Sequence, residues 1–218
     1  MTRRDGGAEP APETVAVPAA QALRPRRGRP GYDLESLLLV AVALFNERGY
    51  DGTSMEDLSR KLGITKSAIY HHVPSKQELL RLAMDRALDG LFSALRRAES
   101  ARGRPIEKLE HLIRGSVVVL VEQLPFVTVL LRVRGNTEVE RAALARRREF
   151  DAIVARLVAA AERDGDIRPD VDPATVSRLL FGMVNSLIEW YRPRSASGAA
   201  KIADAVATVA FDGIRVRP

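Results

Sequence analysis

The chain has 218 residues, with 34 lysines and arginines against 28 aspartates and glutamates, three histidines, no cysteine and a net charge of +6. That length holds one or two domains with a real core, while the missing cysteine excludes disulfides, thiolate catalysis and cysteine-ligated metal. The longest apolar run, Leu37 to Phe45, is nine residues against the roughly 20 that span a bilayer, so the reading is cytoplasmic with no membrane partner, and the charge favours a polyanion.

Residues 1–30 contain no aromatic residue, and 14 of the 30 are Ala, Pro or Gly. Such a stretch cannot bury enough apolar area to offset its ordering entropy, which predicts a disordered basic arm. Its end, Arg24-Pro25-Arg26-Arg27-Gly28-Arg29-Pro30, is either a solubilising tail or an arm whose Arg26, Arg27 and Arg29 seek phosphates or a minor groove.

From residue 33 onward apolar residues recur at spacings of three and four, which predicts an all-α fold. Asp33 caps a first helix to residue 48, ended by Gly49. Ser54 opens a second with Met55, Leu58 and Leu62 on one face and Gly63 at its end. Thr65 opens a third with Ile69 and Val73 on its buried side, stopped by Pro74. Ser75 with Glu78 has capping-box spacing at the head of a longer fourth helix. Further helices are expected near 105–124, 125–134, 137–164, 173–191 and 199–212, with Thr137 and Glu140 as another capping box and Asp172 as a cap.

Two short helices around a tight glycine turn, Ser54 to Gly63 and Thr65 to Val73, make a helix-turn-helix by length, capping and spacing. The exposed face of the second one carries Lys66, Ser67, Ala68, Tyr70, His71 and His72. These are small residues or polar donors suited to phosphate oxygens and base edges in a groove about 12 Å wide. His71 and His72 point about 100° apart on a helix and His111 is remote in sequence, so no metal site is expected. Residues 31–80 hold five basic and seven acidic side chains, so positive charge there is local rather than general. No cofactor and no catalytic residue is expected: phosphate-loop, dinucleotide-glycine, zinc-protease and nucleophile-elbow patterns are all missing.

The segments Gly49-Tyr50-Asp51-Gly52-Thr53-Ser54-Met55-Glu56-Asp57-Leu58 and Leu62 through Leu80 resemble the amino-terminal domain of TetR-type (tetracycline-repressor-like) transcriptional regulators. The resemblance implies a helix-turn-helix DNA-binding domain over 31–80 and a helical effector-binding and dimerisation domain over 81–218. It implies that Thr65, Lys66, Ser67, Ala68 and His71 read bases or the adjoining backbone, and that Ser54, Tyr70, His72 and Lys76 grip phosphates. Lys76 has a further reason, since it sits in the first turn of a helix whose free N–H groups attract an anion.

The expected partners are a double-stranded operator, a second copy of the chain and a small effector. Residues 175–191 and 199–211 are too apolar for one buried stripe, which predicts a four-helix homodimer interface, with Gly182 allowing close approach. For the effector, Ser116, Gln123, Phe126, Leu130, Met183, Asn185 and Trp190 are candidates, Asn185 foremost because a polar group in an apolar helix needs a partner. The stretch Leu179 to Asn185 through Pro193 is similar to relatives that answer to CoA thioesters. The functional expectation is a sequence-specific repressor released by an apolar or CoA-linked effector; the alternative is a nonspecific architectural DNA-binding protein without one.

Overall fold

The computed structural model describes residues 33–192 and 198–214; Arg26, Arg27 and Arg29 lie outside them, with the rest of the expected arm. Among the described residues the chain is helical without strands, in the order α1 (Leu34–Arg48), α2 (Met55–Leu62), α3 (Lys66–His72), α4 (Lys76–Ser100), α5 (Pro105–Glu122), α6 (Leu124–Arg132), α7 (Glu138–Arg163), α8 (Pro173–Trp190) and α9 (Gly198–Ile214). The all-α expectation holds.

Local chemistry sets these boundaries. Side chains of Asp33, Ser54, Thr65, Ser75, Thr137 and Asp172 each accept a backbone N–H of the first turn, which satisfies donors that a helix end leaves open. Two expected capping boxes are only half formed. Glu78 turns to Arg81, at 2.8 and 2.5 Å, and Glu140 turns back to the N–H groups of Gly135 and Asn136, at 2.8 and 2.6 Å. In both cases a better donor lies within reach. The reciprocal box does form at α2, where Ser54 and Asp57 cap one another.

The first three helices enclose a small core of Leu37, Ala41, Leu58 and Ile69, all with no solvent exposure. Each large apolar side chain there stabilises the fold by about 1.5–3 kcal/mol. The expected boundary at residue 80 falls inside α4, which runs through it unbroken to Ser100. Beyond it, α5 lies centrally and packs on α4, α7, α8 and α9, burying Leu109, Leu112, Ile113 and Val117 completely. α6 leaves α5 at 101° and packs against α1 and α4. Across that junction Asn46 Nδ2 donates to Pro125 O at 2.8 Å, Arg132 donates to Asn46 O at 3.2 Å, and Arg86 lies 4.3 Å over the Phe126 ring. The three-helix unit is thus fixed to α6 by polar as well as apolar contacts. Among the described residues no single helix is long and apolar enough to cross a membrane.

Candidate nucleic-acid interface and core cavity

The turn between α2 and α3 is held by three bonds that converge on one residue. Gly63 N–H and Ile64 N–H both donate to Ser59 O, and the Ser59 hydroxyl donates to Ile64 O. Gly63 sits at φ 67°, a left-handed conformation that glycine adopts at little cost. With Ile69 fully buried and Val73 2% exposed, the opposite face of α3 has to point outward. Lys66, Ser67, Tyr70, His71 and His72 are exposed there, with Ala68 half-buried beside them. Tyr70 stands 50% exposed, so its ring is available to a partner rather than packed away. Thr65 is exposed and its hydroxyl accepts Ala68 N–H at 3.2 Å.

Several of these groups already have partners. The Lys66 ammonium pairs with Glu56 on α2; that hydrogen bond raises the lysine pKa and lowers the glutamate's. The Ser54 hydroxyl donates to Asp57 at 2.6 Å while accepting Asp57 N–H, and that hydroxyl together with the Ser54 N–H, at 3.0 Å, holds the Asp57 carboxyl below the ordinary carboxylate range. Lys76, expected to grip a phosphate, also has partners within the chain. Its ammonium donates to Tyr50 O and Thr53 O, both at 2.8 Å, and lies 4.1 Å over the Tyr50 ring. It ties the α1–α2 loop to the head of α4, because carbonyls on a turn and an aromatic face are nearer than solvent. The His71 and His72 rings meet edge to face at 5.8 Å. Glu56 and Ser59 were not singled out by sequence reasoning; their spacing from Lys66 and Ile64 becomes meaningful only once the turn is folded.

A second feature lies in the helical half. A cavity of about 50 Å³ is lined by Ala87 and Leu91 of α4, Ser116, Val119 and Leu120 of α5, Val127, Leu130 and Leu131 of α6, Arg147, Phe150 and Asp151 of α7, and Phe181, Val184 and Asn185 of α8. Of the expected effector residues, Ser116, Leu130 and Asn185 line it. Phe126 is buried under Arg86 instead, and Gln123 buries its carbonyl oxygen without a donor. Met183 is half-buried away from the lining, and Trp190 is 58% exposed, stacked edge to face on Tyr191. Phe150 stacks edge to face on Phe92 and Phe181, at 5.8 and 5.1 Å, and so joins α4, α7 and α8 around the cavity. Burial raises the Asp151 pKa against the opposing pull of Arg147 and Arg178. The α7 contributions were missed because the sequence there, Arg146-Arg147-Arg148-Glu149, reads as a solvated face; Phe150 and Val154, four apart, were the available signal.

Comparison with known proteins bears on both features. Residues 37–83 match the family described as bacterial regulatory proteins, tetR family, and residues 102–214 match the tetracyclin repressor-like C-terminal domain. The chain is 24% identical to the transcriptional repressor KstR2 of Mycolicibacterium smegmatis, over 94% of this chain and 95% of that one. The crystal structure of SCO3833, a TetR regulator from Streptomyces coelicolor A3, shares 53% identity over 86% of this chain and 94% of that one, with a TM-score of 0.79. AibR, solved with isovaleryl coenzyme A and operator DNA, shares 28% identity over 81% and 97% of the two chains, with a TM-score of 0.68. With one match on the helix-turn-helix and another covering more than half of the chain on the helical domain, the protein belongs to the TetR family of transcriptional regulators.

Proposed function

We propose that this protein is a repressor that grips a palindromic operator as a homodimer and lets go when a small apolar or CoA-linked molecule enters the core cavity. The observation that carries the reading is the joint lining of that cavity by α4, α5, α6, α7 and α8. Small-molecule sites usually hold about 300–1,000 Å³, several times the volume here, so an effector of ordinary size has to part these helices. Two of them, α4 and α6, carry the DNA-reading unit. Displacing them changes the separation of two readers, which must sit about 34–36 Å apart to meet successive major grooves. A coupling of about 1–3 kcal/mol would lower operator affinity 5- to 150-fold.

The second copy has a surface to meet. Leu179 and Trp190 on α8 and Val209 on α9 are 65%, 58% and 66% exposed, and Gly182 has open space where a side chain would stand. On α3, Thr65, Lys66, Ser67, Ala68, Tyr70, His71 and His72 form the groove-facing set, with Ser54 at its edge.

The test is titration of a labelled fragment of the chain's own promoter region with the full-length protein. Binding about 10³-fold tighter than to random duplex, weakened by isovaleryl-CoA, supports the regulator. Equal affinity for any duplex, untouched by acyl-CoA, would favour the architectural alternative. In sedimentation, Leu179→Glu with Val209→Glu should shift the species from dimer to monomer and remove operator binding with it.

A further inference from the structure

We infer that the core cavity recognises the carbonyl oxygen of a short apolar acyl group on an anionic carrier, the oxygen held by Ser116 and Asn185 and an anionic group of the carrier by Arg147. This rests on the effector reading above and specifies the chemistry of that site.

The inner anchor is Ser116. It is 2% exposed, lines the cavity, and its hydroxyl has no hydrogen-bond partner. A serine inside a helix ordinarily returns its proton to a carbonyl one turn earlier; this one does not. A buried hydroxyl left without a partner carries the full cost of leaving water. An alanine at this position would be the more stable choice in the ligand-free protein, so the hydroxyl marks where a ligand atom belongs.

The other polar groups agree in placement and in unused capacity. Asn185, on α8, is half-buried, lines the same cavity and makes no hydrogen bond to another described residue. Its amide gives the cavity a second neutral hydrogen-bond donor, from another helix than Ser116. Arg147 is half-buried on α7 and likewise forms no hydrogen bond or ion pair with another described side chain, although Asp151 is four residues on. With Arg178 also acting on Asp151, two cations share the field of one carboxylate, which leaves one positive charge for an anion. The apolar part of the wall is Ala87, Leu91, Val119, Leu120, Phe150 and their apolar neighbours, which offers no hydrogen bond to the acyl chain. An acyl ligand that brings a carbonyl oxygen and an anion engages the two neutral groups and the cation together; a hydrocarbon or a cation does not.

The experiment uses the full-length chain, isovaleryl-CoA, and a matched thioether, 3-methylbutyl-CoA, that lacks only the carbonyl oxygen. Affinities come from calorimetry and unfolding midpoints from thermal scans. The wild type should bind the thioester about 10-fold tighter than the thioether, the worth of a well-made hydrogen bond. Ser116→Ala should bring the two to within about 2-fold while raising the ligand-free midpoint by a few degrees, because it removes the unpaired hydroxyl. Arg147→Gln should weaken both ligands alike. If Ser116→Ala keeps the full preference for the thioester, or lowers the ligand-free midpoint, the assignment is overturned and the effector reading stands. If the wild type binds neither compound, the CoA-linked effector reading fails, and this assignment with it.

Discussion

The two polar regions of this molecule differ in how their hydrogen-bonding groups are occupied. Around the helix-turn-helix Ser54, Thr65, Lys66 and Lys76 all have partners within the chain. Around the core cavity the Ser116 hydroxyl has none, Asn185 makes no hydrogen bond to another described residue, and Arg147 meets Asp151 only through its charge. A surface that exchanges one set of partners for another binds by a difference of energies and can let go readily. A buried hydroxyl that stands unpaired, as Ser116 does, gains the whole of a new bond, and the ligand-free protein carries a stability cost in return. The proposed function would use this asymmetry, with a reversible contact to the operator and a decisive one to the effector.

The comparison breaks first at α3. Replacing Lys66 and Tyr70 by alanine together should lower operator affinity about 100-fold or more, since each loss counts twice in a dimer. The unfolding midpoint should barely move, because both side chains are exposed. The slope of log affinity against log salt should also flatten by about 1.8, because each subunit then neutralises one phosphate fewer, at roughly 0.9 apiece. An unchanged affinity in anisotropy titrations would remove α3 as the reading helix. Glu56→Gln tests the exchange itself. Freed from Glu56, Lys66 should meet a phosphate without first breaking an ion pair, and affinity should rise about 3- to 10-fold at low salt. A fall instead would mean that Glu56 aims the lysine rather than competing for it.

The reader was largely legible in the sequence and the cavity was not, for physical reasons. Caps at Asp33, Ser54, Thr65, Ser75, Thr137 and Asp172 are local: the acceptor lies within three residues of its donor, so spacing alone exposes them. The outward face of α3 follows from Ile69 and Val73 in the same way. The hydrogen bonds of Lys76 could not be read in the same way, because its partners, the carbonyls of Tyr50 and Thr53, lie more than twenty positions away. The cavity draws on five helices, and a polar residue among apolar ones announces burial without naming what it faces. That test found Ser116 and Asn185 but also Gln123, and it passed over Arg147 within a run of arginines.

Smaller effects should appear where the cavity meets α4. Arg146 of α7 bridges Asp85 and Asp89 of α4 at 2.9 and 2.7 Å, one residue before Arg147 in the cavity wall. Ligand contact at Arg147 and the hold on α4 therefore share one turn of helix. Arg146→Gln should cost only about 0.5–1 kcal/mol of stability, as partly exposed pairs do. It should nonetheless make the operator complex several-fold easier for isovaleryl-CoA to dissociate. Loss of stability with unchanged release would assign the bridge to folding alone.

The smallest change in sequence tests the same hinge from inside. Gly90 faces α5, where an added Cβ would stand 2.9 Å from Val119 Cγ1 and 3.1 Å from Gln123 Nε2. Two effects oppose each other in Gly90→Ala. The alanine favours the α4 helix by about 1 kcal/mol, while the overpacking costs about 1–3 kcal/mol. Valine is stiff at χ1 and cannot swing clear, so the crowding should win narrowly and denaturant unfolding should show a loss near 1 kcal/mol. Relief of the clash requires α4 to move away from α5, the direction in which a cavity ligand would also push it. Operator affinity without effector should therefore fall about 2- to 5-fold, a partial imitation of the liganded state. A variant that is destabilised yet binds DNA as tightly as the wild type would show that α4 can yield at Gly90 without moving the reader.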